Sequence, residues 1–107
     1  MSEKDEIKRD GATPVKNSGR SKGTNKGDAV LGEFLVDYKE YSKSFSINAK
    51  FWSKICTDAI HNGKRSPALK LVMGEDGSPK TRLWVVEEWV LHEYIRLAKK
   101  EQDEESM

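Results

Sequence analysis

Lys26-Gly27-Asp28-Ala29-Val30-Leu31-Gly32-Glu33-Phe34-Leu35-Val36-Asp37-Tyr38-Lys39, continued by Glu40-Tyr41-Ser42-Lys43-Ser44-Phe45-Ser46-Ile47, is the stretch on which the reading of this chain turns. Phe34 to Lys39 carries the strongest strand signal in the protein, and strand side chains alternate between faces. Glu33, Leu35, Asp37 and Lys39 therefore share one face, whereas Phe34, Val36 and Tyr38 share the other. A turn at Leu31-Gly32-Glu33 folds Asp28-Ala29-Val30 back along this strand as a hairpin, which brings Asp28 near Asp37 and Lys39. Two carboxylates and an ammonium converge. Paired carboxylates with further oxygen donors suit Mg²⁺, a hard ion that keeps several waters and usually takes one or two protein carboxylates. A lysine beside such an ion can orient the attacking water or steady charge in the transition state, which is the chemistry of phosphodiester hydrolysis. The same residues also fit a solvated hairpin face whose cross-strand ion pairs are each worth under about 1 kcal/mol.

Composition bounds the alternatives. The 107 residues suffice for one domain, and 36% hydrophobic against 35% charged residues implies a modest core with polar ends. Net charge is only +1, so any case for nucleic acid rests on distribution. Between Pro14 and Gly27 stand Lys16, Arg20, Lys22 and Lys26 without an acid, whereas Glu101 to Glu105 holds acids without a base. A phosphate backbone prefers the first segment. The single cysteine, Cys56, excludes an intrachain disulfide, and two scattered histidines do not complete a zinc site with it. No apolar run is long enough to span a membrane, and the charged N-terminus does not read as a secretory signal, so a soluble protein of the cytoplasm is expected.

Along the chain, Met1 to Asp10 has one large aliphatic residue, Ile7, and little to bury as a helix. With the Gly-, Ser- and Lys-rich segment that follows, residues 1–27 read as a flexible basic arm. Residues 28–100 form the folded domain, and 101–107 a disordered acidic tail. Ala49 to Asn62 has helical periodicity in Phe51, Trp52, Ile55, Cys56, Ala59 and Ile60, with Ser46 or Asn48 as cap and Gly63 as terminator. Trp52 and Cys56 lie on that apolar stripe and read as core. Ala68 to Met73 and Thr81 to Val86, joined by a turn over Gly74 to Pro79, predict a second hairpin. Glu87 and Glu88 then open a final helix, apolar over a wide arc. The expected fold is α/β, a mixed four-stranded sheet of two hairpins packed with two helices.

Asp28 with Asp37-Tyr38-Lys39 resembles the PD-(D/E)XK nuclease motif. Taken with Asn17-Ser18-Gly19-Arg20, Lys26-Gly27-Asp28 and Ser44-Phe45-Ser46-Ile47 before a helix, the chain resembles small phage-encoded nucleases of the Holliday-junction-resolvase type. The resemblance implies a compact nuclease core and a Mg²⁺-dependent DNA endonuclease, Mn²⁺ substituting, that acts on duplex or branched recombining DNA in the cytoplasm of an infected host. By the same resemblance Asp28 and Asp37 hold the metal with the backbone carbonyl of Tyr38, Lys39 positions water or stabilises charge, and Ser18, Arg20, Lys22, Lys26 and Lys43 contact DNA. Such nucleases often take another acid from a first helix, for which Glu6 is the candidate tested here against Glu3. Lys70 joins them only if its face coincides with that of Lys39. Cutting paired strands implies a homodimer. Two other functions fit the residues: a catalytically inactive nuclease-like fold that binds DNA or a host protein, and a small adaptor working through its acidic tail and aromatic C-terminal helix.

Overall fold

The computed structural model describes residues 3–15 and 28–105. Its elements in chain order are α1 (Glu3–Asp10), β1 (Thr13–Pro14), β2 (Asp28–Leu31), β3 (Phe34–Tyr41), α2 (Ala49–His61), β4 (Ser66–Met73), β5 (Thr81–Val86) and α3 (Glu88–Glu105). The five strands form one mixed sheet in the order β1-β2-β3-β4-β5, with β3 and β4 parallel and every other neighbouring pair antiparallel.

The first hairpin closes through Gly32 and Glu33 between the paired residues Leu31 and Phe34. Gly32 has φ 63°, which a side chain would resist, and this left-handed residue at the head of the loop matches the right-handed twist of its strands. A parallel neighbour for β3 requires a crossover, and α2 supplies it. Asn48 caps α2, its side chain accepting from the Phe51 N–H, and Gly63 at φ 86° follows its C-terminus.

Alternation along the strands gives the sheet two different faces. One buries Ala29, Val36, Tyr38 and Ala68 against Ile7 of α1. The other buries Leu69 and Leu71 against Ile55 of α2, with Phe45, Phe51, Trp52 and Val85 around them. Trp52 thus packs on the core, as its place on the apolar stripe predicts. β4 is covered on both sides, and its residues from Pro67 to Val72 are all buried.

Four expectations are corrected. The sheet has five strands and the fold three helices, because a short strand at Thr13–Pro14 pairs with β2 and residues 3–10 are helical. α1 is no free arm: Glu6 and Ile7 are buried against the sheet. The acidic segment does not begin a disordered tail at residue 101, since α3 continues to Glu105. Finally, α3 buries none of its residues, and Trp89, Leu91, Tyr94, Ile95 and Leu97 remain exposed.

Leu69 is fully enclosed between the sheet and α2. Leu69→Ala is expected to lower unfolding stability by roughly 2 to 5 kcal/mol in a chemical denaturation series, the range for a truncation that leaves a core cavity.

Candidate active site on the first hairpin

Asp28 and Asp37 are direct cross-strand partners at the open end of the first hairpin. Residues so paired project to the same face with Cβ atoms roughly 5 Å apart. Lys39 follows two positions along β3 on that face, and its Nζ lies 3.3 Å from Asp37 Oδ1. The three side chains that sequence reasoning joins are therefore brought together, on the face that α2 covers. Asp28, Leu35 and Asp37 line a cleft of about 10 Å³ with Ile55 and Asp58 of α2. Asp58 was missed by the sequence reading, which set it on the solvent face of α2; it also pairs with Lys54 at 3.2 Å, one turn away.

Burial works against the charge of Lys39, but the Asp37 carboxylate beside it, with Glu3 adding to the effect, holds its ammonium above the ordinary lysine range. Lys39 is accordingly a fixed cation. It can steady negative charge or orient a water, and it is a poor acceptor of a proton.

Glu3, the first residue of α1, reaches this neighbourhood from the opposite face of the sheet. The way is open because, among the described residues, pairing of β2 with β3 ends at Asp28 and Asp37, while β3 runs on to Tyr41. The Glu3 carboxylate accepts a hydrogen bond from the Glu40 backbone N–H at that edge. Burial pushes its carboxyl above the ordinary value, with the charges of Asp37 and Glu40 acting in the same sense, against the pull of Lys39 and the Glu40 bond. The signal in the sequence was helical spacing: Glu3, Glu6 and Asp10 recur at intervals of three and four along one face of α1.

Glu6 is placed elsewhere. It is buried with Lys70, each 1% exposed, and its Oε1 stands 2.8 Å from Lys70 Nζ. Arg82 donates to it from Nε at 3.1 Å and from Nη2 at 2.9 Å. Lys70 also donates to both carboxylate oxygens of Asp10 at 2.9 Å, and the Tyr38 hydroxyl donates to Asp10 Oδ2 at 2.9 Å. Trp84 closes this cluster, its ring centroid 5.3 Å from Lys70 Nζ. Tyr38 and Lys70 are register partners on the face opposite Asp37 and Lys39, so neither Glu6 nor Lys70 belongs to the hairpin site. The side chain of Tyr38 likewise turns away from Asp37; its backbone carbonyl stands between the two site residues on β3.

Lys43 lies exposed on the connection from β3 to α2. Ser18, Arg20, Lys22 and Lys26 fall outside the described residues. Cys56 is partly buried, and burial, followed by the charge of Glu87, pushes its thiol up, away from the reactive thiolate. Among the described residues, no group of three or more His, Cys, Asp and Glu forms a metal site by itself. The hairpin instead presents two carboxylates in register with a backbone carbonyl between Asp37 and Lys39, a donor set that fits an ion retaining most of its water. Comparison of the chain with family models, with curated proteins and with solved structures gives no match.

The Glu6 cluster generates a pH dependence. Hydrogen bonding to Arg82, and then to Lys70, outweighs burial and holds the Glu6 carboxyl down at about 2, from an ordinary 4.5. A depressed carboxyl stabilises the fold above its unfolded pKa, and that contribution is lost as pH falls through the folded value. Unfolding free energy should therefore decline between about pH 4.5 and pH 2, and Glu6→Gln should be less stable at neutral pH with a flatter decline across that interval. Urea titrations at stepped pH read both effects.

Proposed function

We propose that the protein is a Mg²⁺-dependent endonuclease that hydrolyses phosphodiester bonds in DNA, of the PD-(D/E)XK type its motif resembles. The observation that carries this reading is the direct pairing of Asp28 with Asp37 beside the ammonium of Lys39. Asp28, Asp37 and the carbonyl of Tyr38 would hold the divalent ion, which when bound supplies Lewis-acid stabilisation and a more acidic water. Lys39, held as a cation by Asp37, stabilises negative charge on the phosphate. Glu3 takes the place given to Glu6 in the sequence reading, as the acid from the first helix. Its raised carboxyl suits a group that exchanges a proton with water near the site.

Branched recombining DNA as substrate follows from the resemblance to resolvase-type nucleases, as does action as a homodimer. The exposed apolar side chains of α3, Leu91, Tyr94 and Ile95 among them, offer the surface on which a second copy would pack. If they do, Tyr94→Glu converts a species of twice the chain mass into single chains, as light scattering after size exclusion reads directly. A wild-type protein that already runs as single chains at all concentrations refutes the dimer and leaves the hydrolytic reading intact.

Purified protein incubated with a four-way junction and with plain duplex, in Mg²⁺, Mn²⁺ or EDTA, tests the activity. Metal-dependent nicking is expected, abolished in Asp37→Asn and reduced roughly a hundredfold or more in Lys39→Met, with folding and salt-sensitive DNA binding retained in both. Cleavage that survives Asp37→Asn overturns the assignment. Binding without any nicking by the wild type selects the inactive, DNA-binding alternative.

A further inference from the structure

We infer that the buried cluster of Glu6, Asp10, Lys70 and Arg82 is a positioning device for the hairpin site: it clamps α1 onto β4 and β5 and thereby sets Glu3 at the open edge of β3.

α1 has eight residues, too few for a helix that holds by its own backbone bonds. Its only buried apolar residue is Ile7. What fixes it is charge: Lys70 bridges Glu6 at 2.8 Å and Asp10 at 2.9 Å, while Arg82 grips Glu6 at 2.9 Å from the next strand. Glu3, Glu6 and Asp10 follow one another along one helix face. Fixing the second and third in both rotation and height leaves the first little freedom over where its carboxylate falls. That place is the Glu40 N–H, at the edge next to Lys39.

The cluster itself does not line the hairpin site. Lys70 shares its face with Tyr38, and Asp37 and Lys39 occupy the other. Its action on the site therefore passes through α1. A wholly apolar contact of the same volume could stabilise α1 as well, because buried ion pairs rarely exceed good packing in net stability. What apolar contact lacks is direction, and the two-pronged Arg82 bond with the branched Lys70 bond supplies it. In its bearing on metal binding the inference rests on the endonuclease reading; the placement of Glu3 does not.

The test uses Arg82→Gln, which removes the less buried of the two cations, with Arg82→Lys as a second variant that keeps the charge and loses the two-pronged geometry. The Glu3 carboxyl is followed by carbon-detected NMR titration, and Mn²⁺ affinity by calorimetry. Arg82→Gln is expected to return Glu3 toward ordinary carboxylate titration and to weaken Mn²⁺ binding about tenfold or more, while amides of β3 and β4 keep their hydrogen-exchange protection. Adding Glu3→Gln to Arg82→Gln should then cost no further affinity, since both changes remove the same carboxylate from the site. Arg82→Lys should show the same effects to a lesser degree, and it decides the matter if Arg82→Gln does not fold. Glu3 titrating as in the wild type in the folded variant, or losses that simply add, overturns the inference. Should the wild-type protein bind no Mn²⁺, the endonuclease reading falls, and the titration of Glu3 alone still decides the role of the cluster.

Discussion

The register of the first hairpin is the constraint on which the rest depends. Two loop residues, one a glycine in a left-handed conformation, leave Leu31 and Phe34 as the closing pair, and counting back from there puts Asp28 opposite Asp37. A slip of one residue would send every following side chain to the other face. The packing holds the register as firmly as the turn does, for Ala29 and Val36 are partners buried on the α1 face. Slipped by one, the strand would push Asp28 or Asp37 into that core without its partners, at a cost of several kcal/mol. The functional face is thus specified by the apolar residues that point away from it.

The same alternation separates two sets of charges that lie side by side along β3 and β4. On one face Asp37 and Lys39 sit partly exposed, near a carboxylate that comes in over the strand edge. On the other, Glu6 and Lys70 are buried almost completely, and their cluster is held by five residues from α1, β3, β4 and β5. Burial of that kind costs free energy unless the bonds are made, and removing one partner leaves the others stranded. The buried set is therefore rigid where the hairpin set remains open to solvent and to ligand.

How far the sequence could be read follows from what each element is held by. The hairpins and α2 were legible because apolar periodicity and turn chemistry are local signals, and Phe34 to Tyr41, Gly32 and Asn48 behave as their neighbours dictate. α1 was not legible as a docked helix. Its anchors are Lys70 and Arg82, which stand 60 and 76 residues away from Asp10 and Glu6, and pairing of charges at such distance leaves no periodic trace. Glu3 was passed over for the same reason, since the choice between it and Glu6 depends on which acid the distant cations take. The helix through residues 101–105 was misjudged in another way: acidic composition suggested disorder, whereas a preceding helix had already met the cost of nucleation and could be extended.

Strand length makes the last connection between fold and site. Were β2 as long as β3, its backbone would cover the Glu40 edge, and α1 on the far side of the sheet would have no access to Lys39. Among the described residues the pairing stops at Asp28, so the residue that begins β2 is at once a member of the carboxylate pair and the boundary of the opening beside it. Two like charges facing each other across a hairpin are unfavourable in themselves, and Lys39 offsets the charge of one of them. A sheet end designed for stability alone would place a neutral or opposite residue at one of the two positions. The cost accepted there, at an edge where a further carboxylate is steered in by a buried clamp, is intelligible if that end of the sheet is organised around a cation.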